Sequence, residues 1–402
     1  MPITVEDVPY QGSKTLVPLL MFAVLLRNLI WVLPSPLMSE LMEDMNISYM
    51  QGGMLMFIVT ALMGAAMFGS SFLIDRLGAV QAIITGLFSF GVDGLLSWFF
   101  RGYTFVLVGR AFSGIGYGMI ACAVPALISA RVNRAQYNLA NSFFSAFNAI
   151  SIAIAYSVTV PMFQKLGSWR RLILVWSVFA ILCAVMFIRW MRGKANTTQN
   201  SNKNEGKNGV SSLLSAWKYP QLKCLTVAMM GCLWLQTCIS TYLPTFLSEV
   251  HGYAPEDASA ATGLMSISGI AGCFLCGVLL KNIRNRKAYM IGILAMMAFS
   301  VVGISVLPFK LGKHICICLA GFCFMGWTPM SMTIIMSLPA VTPQIVGGAT
   351  AIMIGSGSIL AFIVPVIFDL LQGILGIQNT FLVFSLLIIP AVISVKGFAL
   401  KE

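Results

Sequence analysis

The sequence predicts an all-α membrane protein: twelve transmembrane helices forming two six-helix bundles, with both termini cytoplasmic. Two observations carry this. Of the 402 residues, 58% are hydrophobic and only 9% charged, with a mean hydropathy of +0.88, whereas a soluble domain carries about 25% charged residues. The apolar residues also fall into twelve stretches, each near the roughly 20 residues that a helix needs to cross a hydrocarbon core of about 30 Å. A water-soluble enzyme is excluded.

In the first half the stretches cover 16–38, 50–74, 79–100, 103–127, 137–163 and 169–190; in the second they cover 222–247, 257–280, 287–308, 314–337, 344–371 and 378–399. Their length, rather than a one-sided apolar stripe, marks them as spans. Met1–Ser13 contains Glu6 and Asp7 and lacks a basic start with a cleavage site, so it is expected to be a short tail and not a signal peptide. If the amino terminus is cytoplasmic and crossings alternate, seventeen of the 25 Lys and Arg residues lie on the cytoplasmic side and six on the other. That asymmetry sets the orientation. It also accounts for the net charge of +12 without invoking nucleic acid.

The run Ala195-Asn-Thr-Thr-Gln-Asn-Ser-Asn-Lys-Asn-Glu-Gly-Lys-Asn-Gly209 has no apolar period and cannot form a core. The chain is therefore expected to divide into an amino-terminal bundle (1–191), a flexible cytoplasmic linker (192–217) and a carboxy-terminal bundle (218–402). The halves echo each other. Leu33-Pro34 with Ser39-Glu40 closes the first span, and Leu243-Pro244 with Ser248-Glu249 closes the seventh. Two similar halves imply a site near the bilayer midplane between them, opened to alternate sides by rocking.

Several motifs sharpen this. Between the second and third spans stands Ser71-Phe-Leu-Ile-Asp75-Arg76-Leu-Gly78, and in the second half Gly277-Val-Leu-Leu-Lys281 with Arg284-Asn-Arg286-Lys287. The fourth span carries Arg110-Ala-Phe-Ser-Gly114-Ile-Gly116-Tyr-Gly118, and Gly167-Ser-Trp169-Arg170 precedes the sixth. On these the chain resembles the major facilitator superfamily of secondary transporters over nearly its whole length. It departs from the family pattern where Ser71 replaces a glycine and Lys281 an acid. The glycine-proline signature of antiporters is absent from Asn141–Tyr156. Leu26-Arg27-Asn28 in the first span, and Leu235-Gln236-Thr237 leading to Tyr242-Leu243-Pro244, are similar to the cyanate and nitroimidazole permease group and to organic anion symporters. The resemblance implies that the first, fourth, seventh and tenth helices line a central cavity, and that Asp75 and Arg76 work at a cytoplasmic gate.

Charge at mid-bilayer costs about 2.5 kcal/mol or more, so it faces a cavity or a partner. Arg27, Asp93, Arg110 and Asp369 qualify. Arg27 lies about 17 Å along its span, near the middle of the core. Arg110 lies about 10 Å below the outer end of the fourth helix, and Asp93 about 9 Å below the same face. A guanidinium presents a planar fork of donors that fits a carboxylate, so Arg27 and Arg110 together suggest an anionic substrate. The alternative for Arg110 is a pair with Asp93. Asp93 is also the first residue to test for proton coupling, and Asp369 is expected to meet water.

Trp31 and Tyr117, one and two turns from the arginines, offer an aromatic wall. Gln236 and Ser240 on the seventh helix and Trp327 on the tenth, with Trp234, Thr241 and Thr328 beside them, would complete it. Asn141, Ser145 and Asn148 form a stripe on the fifth helix that reads as an interhelical seam, and Gly114 with Gly118 reads as close helix packing. The 10 cysteines lie in or beside apolar stretches and read as buried apolar residues. No zinc motif, phosphate-cradling glycine-lysine loop or catalytic constellation is present, so neither cofactor, metal nor ATP is expected.

The expectation is thus a monomeric multi-pass transporter of the plasma membrane. It moves a small organic anion, a carboxylate in particular, by alternating access with proton symport or anion exchange. The rivals are a multidrug or amphipathic-compound efflux pump and a transport-inactive receptor or structural membrane protein.

Overall fold

The computed structural model describes residues 13–47, 49–131, 137–194, 209–282, 285–338, 341–386 and 388–397. Among them ten helices are long and apolar enough to cross a membrane, and Leu16–Val32 and Ala260–Cys276 are shorter apolar stretches. The twelve spans coincide with the twelve expected segments.

In the first half they are α1 (Ser13–Val32), α3 (Tyr49–Leu77), α4 (Ala79–Phe99), α5 (Tyr103–Arg131), α6 (Tyr137–Leu166) and α7 (Trp169–Lys194). The second half comprises α9 (Pro220–His251), α10 (Pro255–Asn282), α11 (Arg286–Val306) and α12 (Lys310–Ser337). The eleventh span is α13 (Pro343–Thr350) and α14 (Ser356–Leu375) joined by a π-helical turn, Ala351–Gly355; the twelfth is α15 (Ile377–Leu386) followed by α16 (Ile388–Lys396). Two short helices lie outside this count: α2 (Met38–Met45) and α8 (Gly209–Trp217).

The α8 helix corrects the expectation of a flexible segment over 192–217. Its Ala216 is fully buried and Leu213 packs against the cores of both halves, so apolar burial orders this end of the linker. At the other end α7 continues to Lys194; residues 195–208 lie outside the described residues.

Helix packing explains where the glycines fall. A Cβ on Gly114 would sit 2.6 Å from the Val59 carbonyl oxygen, and one on Gly118 2.5 Å from that of Met63, so α5 and α3 approach backbone to backbone. The second half repeats the device. A Cβ on Gly272 would lie 2.1 Å from the Phe322 oxygen and one on Gly321 2.0 Å from that of Met265, which locks α10 onto α12. These are the second and fourth spans of each half, so the echo seen at Pro34 and Pro244 extends to the packing.

One apolar core lies in the second half, and the other lies in the first half with Met336, Val346 and Ala351 of the second packed into it. Contacts across the halves run α3 to α13, the π turn and α14, α5 to α13, and α6 to α10 and α12. Near mid-span a Cβ on Gly64 would lie 3.0 Å from the Gly355 oxygen. Toward the end of the molecule that holds α8, Ser71 Oγ donates to the Gly347 carbonyl at 3.3 Å and Asn141 Nδ2 donates to Thr333 Oγ1 at 3.3 Å. Gly347 itself nests against Ile74 and Ala126.

Candidate substrate site

Arg27 is 7% exposed on α1, which packs on α4, α5, α6 and α7 of its own half. Its Nη2 donates to Asn148 Oδ1 on α6, and Asn28 Nδ2 donates to the same oxygen at 3.0 Å. The guanidinium carbon stands 4.3 Å from the centre of the Tyr117 ring on α5, and Trp31 meets that ring edge-on at 5.5 Å. Three helices thus converge on one cation.

Its electrostatics are incomplete. The ion pairs among the described residues are Arg110–Asp93 and Arg170–Asp44, so Arg27 has no carboxylate there. Its Nε is buried without a hydrogen-bond partner. An amide oxygen and an aromatic face offset part of a buried charge, but an unmade hydrogen bond from a buried donor costs about 1–3 kcal/mol, and more when the donor is charged. The arrangement has positive charge and donor capacity to spare for a guest.

Arg110 answers differently. At 1% exposure its Nη1 donates to the Ile30 carbonyl at 2.8 Å and to Asp93 Oδ2 at 3.3 Å, its Nη2 to the Trp31 carbonyl at 2.9 Å, and its Nε to the Leu55 carbonyl at 3.4 Å. Asp93 is fully buried and accepts as well from Ser113 Oγ and, at 3.3 Å, from Ser97 Oγ. Of the two alternatives for Arg110, pairing with Asp93 is the one the structure realises. Four of its five N–H donors tie α1, α3, α4 and α5 together, which speaks against Arg110 as a second substrate ligand. Asp93 is engaged in the same knot. The sequence carried a signal for this in Gly109, where a Cβ would fall 2.6 Å from Asp93 Oδ1.

The remaining expected residues separate. Trp327 is fully buried in the second half's core with its Nε1 unpartnered, and Trp234 stacks on Phe384 at 5.1 Å. Gln236 is half-buried, while Ser240 is exposed and donates to the Thr237 carbonyl at 3.3 Å. Among the described residues no hydrogen bond or ring contact joins Gln236, Ser240 or Trp327 to Arg27. Arg76 is exposed and stands 4.0 Å over the Phe72 ring. The side chains of Asp75 and Asp369 lie outside the described residues.

The sequence reading missed two things. Asn148 looked like part of a seam, which suits Asn141, yet it is also the amide that holds Arg27. Ser71 looked like a lost glycine, yet its hydroxyl bridges the halves.

The sequence profile of the Major Facilitator Superfamily matches residues 20–347, and the chain belongs to that superfamily. It is a multi-pass integral membrane protein of a transporter family rather than an enzyme. A Campylobacter jejuni protein of uncharacterised function is 23% identical over 235 residues, 58% of this chain and 70% of that one. A bacterial homologue of the iron transporter ferroportin in its outward-facing state superposes with a TM-score of 0.76 at 14% identity, over 96% of this chain and 99% of that one. The Escherichia coli fucose:proton symporter gives 0.72 at 15%, over 96% and 99%. A human organic anion transporter gives 0.71 at 14%, over 94% and 98%. At such identities these likenesses speak for the fold.

Proposed function

We propose that this superfamily member moves a small organic anion, a carboxylate, by alternating access, coupled to proton symport or anion exchange. One observation carries the reading: Arg27 is buried in the first span with no acidic partner among the described residues and with Nε unsatisfied. A carboxylate would supply the missing acceptor bidentately. The Tyr117 and Trp31 rings beside it would receive the carbon skeleton, and the human organic anion transporter of like fold lends support. Gln236, Ser240 and Trp327 belong to this proposal as the wall that the second half would contribute in a more closed state.

The cross-half hydrogen bonds from Ser71 to Gly347 and from Asn141 to Thr333 lie toward the end of the molecule that holds α8. If the asymmetry of basic residues sets the orientation, with both termini cytoplasmic in the plasma membrane, this conformation is sealed on the cytoplasmic side. Asp75 and Arg76 belong to that gate beside the Ser71–Gly347 bridge. Opening it would separate the 1–191 and 218–402 bundles, and Asp93 would couple to protons only if Arg110 releases it. The unit that does this is a monomer.

The test is a thermal-shift screen of small anions on purified protein, repeated with Arg27→Gln, because a ligand that binds the folded state stabilises it by about 2.7 kcal/mol at a hundred times its Kd. A carboxylate that stabilises wild type and not the variant supports the reading. Stabilisation by lipophilic cations, unchanged in the variant, would favour efflux of amphipathic compounds.

A further inference from the structure

At the opposite end from α8, the second half carries a cationic group that the substrate reading does not use. A cavity of about 390 Å³ lies between α10 and α12, with Tyr253, Asp257, Lys310 and His314 in its wall. Lys310 Nζ is 5.1 Å and Lys313 Nζ 5.7 Å from the centre of the Tyr253 ring, and the His314 ring is 6.0 Å from it. Tyr253 is 5% exposed and its hydroxyl is buried without a partner; Lys313 is 3% exposed. Neither lysine is in an ion pair among the described residues. Against two ammonium groups the wall holds one exposed carboxylate among the described residues, Asp257.

A second cavity of about 360 Å³ shares His314 with the first and continues down the same two helices between Ser268, Ala271, Ile315, Cys318 and Phe322. Its exposed lining is apolar throughout. Leu311 and Ile315 beside it are 73% and 53% exposed, as befits a face turned to lipid. From Lys310 to Phe322 the helix rises about 18 Å, close to the roughly 15 Å depth of one leaflet's hydrocarbon. Positive charge at the membrane surface thus leads into an apolar groove of leaflet depth.

We propose that this joined cavity binds an anionic glycerophospholipid of that leaflet. Its phosphate lies against Lys310, with the buried Lys313 adding charge from beside the Tyr253 ring. Its headgroup hydroxyls donate to Asp257, and one acyl chain fills the groove along α12. This site is independent of Arg27.

Native mass spectrometry of the purified full-length protein in detergent tests it, with phosphatidylglycerol, phosphatidylcholine or inorganic phosphate added in turn. Wild type is expected to retain phosphatidylglycerol roughly tenfold over phosphatidylcholine, the weight of one hydrogen bond to a charged group. Lys310→Gln, which removes the phosphate contact common to both lipids, should lower retention of each, and Asp257→Ala, which removes the acceptor for the headgroup hydroxyls, should erase the preference. Ala271→Trp, a substitution on an exposed position that fills the groove, should lower retention of both lipids. Arg27→Gln should bind lipid as wild type does. Equal retention of phosphatidylglycerol by wild type, Lys310→Gln and Ala271→Trp would overturn the proposal. So would binding of inorganic phosphate that survives Ala271→Trp and displaces the lipid, since the site would then be one for free phosphate. Melting curves without lipid confirm that the variants are folded.

Discussion

Replacing Arg110 by lysine asks whether this guanidinium holds the helices or holds cargo. The native fork makes four hydrogen bonds, to the carbonyls of Ile30, Trp31 and Leu55 and to Asp93. An ammonium is a single point with three donors. It keeps the attraction to Asp93 and can satisfy at most two of the three carbonyls, which belong to α1 and α3. At least one bond from a charged donor is lost, at about 1.5–3 kcal/mol, so the expected loss lies in that range. Arg110→Met goes further and strands the Asp93 carboxylate with two serines, a break worth about 3–5 kcal/mol. Adding Asp93→Asn to Arg110→Met removes the stranded charge and should recover part of that loss.

The assay is a melting curve by tryptophan fluorescence, recorded with and without the best anion from the screen. Arg110→Lys should melt well below wild type yet keep the anion-induced rise. An Arg110→Lys protein that melts like wild type and loses that rise would refute this reasoning and return Arg110 to the substrate site.

Three further outcomes follow from the packing. Gly118→Ala would drive a methyl to within 2.5 Å of the Met63 carbonyl oxygen, whereas Gly69→Ala meets nothing within 4 Å; the first should cost about 1–3 kcal/mol in thermal stability and the second should not lower it. No cysteine is exposed, and only Cys224 and Cys318 are even half-buried, so a maleimide mass shift on folded protein should show at most two fast adducts. Asp44→Asn removes the charge from the oxygen that accepts from Arg170 and Trp169 Nε1 and so ends the ion pair. Because Asp44 is about half exposed, the loss should stay under about 1 kcal/mol and shrink in high salt, as a melting series in sodium chloride would show.

Much of this architecture is legible in the chain because a bilayer imposes length and composition, and both can be counted along a sequence. The twelve spans therefore appear where the apolar stretches lie. The helices that escaped are α2 and α8, eight and nine residues long, too short for either periodicity or hydropathy to speak. The π turn at Ala351–Gly355 escaped because it lies within one unbroken apolar run.

The site was half legible. That Arg27 and Arg110 are functional or paired follows from the cost of charge in lipid. Which of them is paired depends on how helices are rotated about their axes, and no apolar stripe fixes that when a span is apolar all round. Gly109 beside Arg110 was the local sign of a close neighbour, and Asn148 was the partner of Arg27 hidden in an apparent seam. The contribution of the second half is the least legible. Gln236 and Ser240 carry no charge, so nothing in their surroundings forces them toward a guest.

The measurement that bears most directly on the central claim is equilibrium binding of a labelled carboxylate to purified protein, with Arg27→Gln and Arg27→Lys in parallel. Glutamine should weaken binding by at least about tenfold, the weight of one hydrogen bond to a charged group, and lysine should restore only part because it cannot offer the fork. A carboxylate bound equally by wild type and Arg27→Gln would contradict the account, and with it the assignment of an anion as cargo.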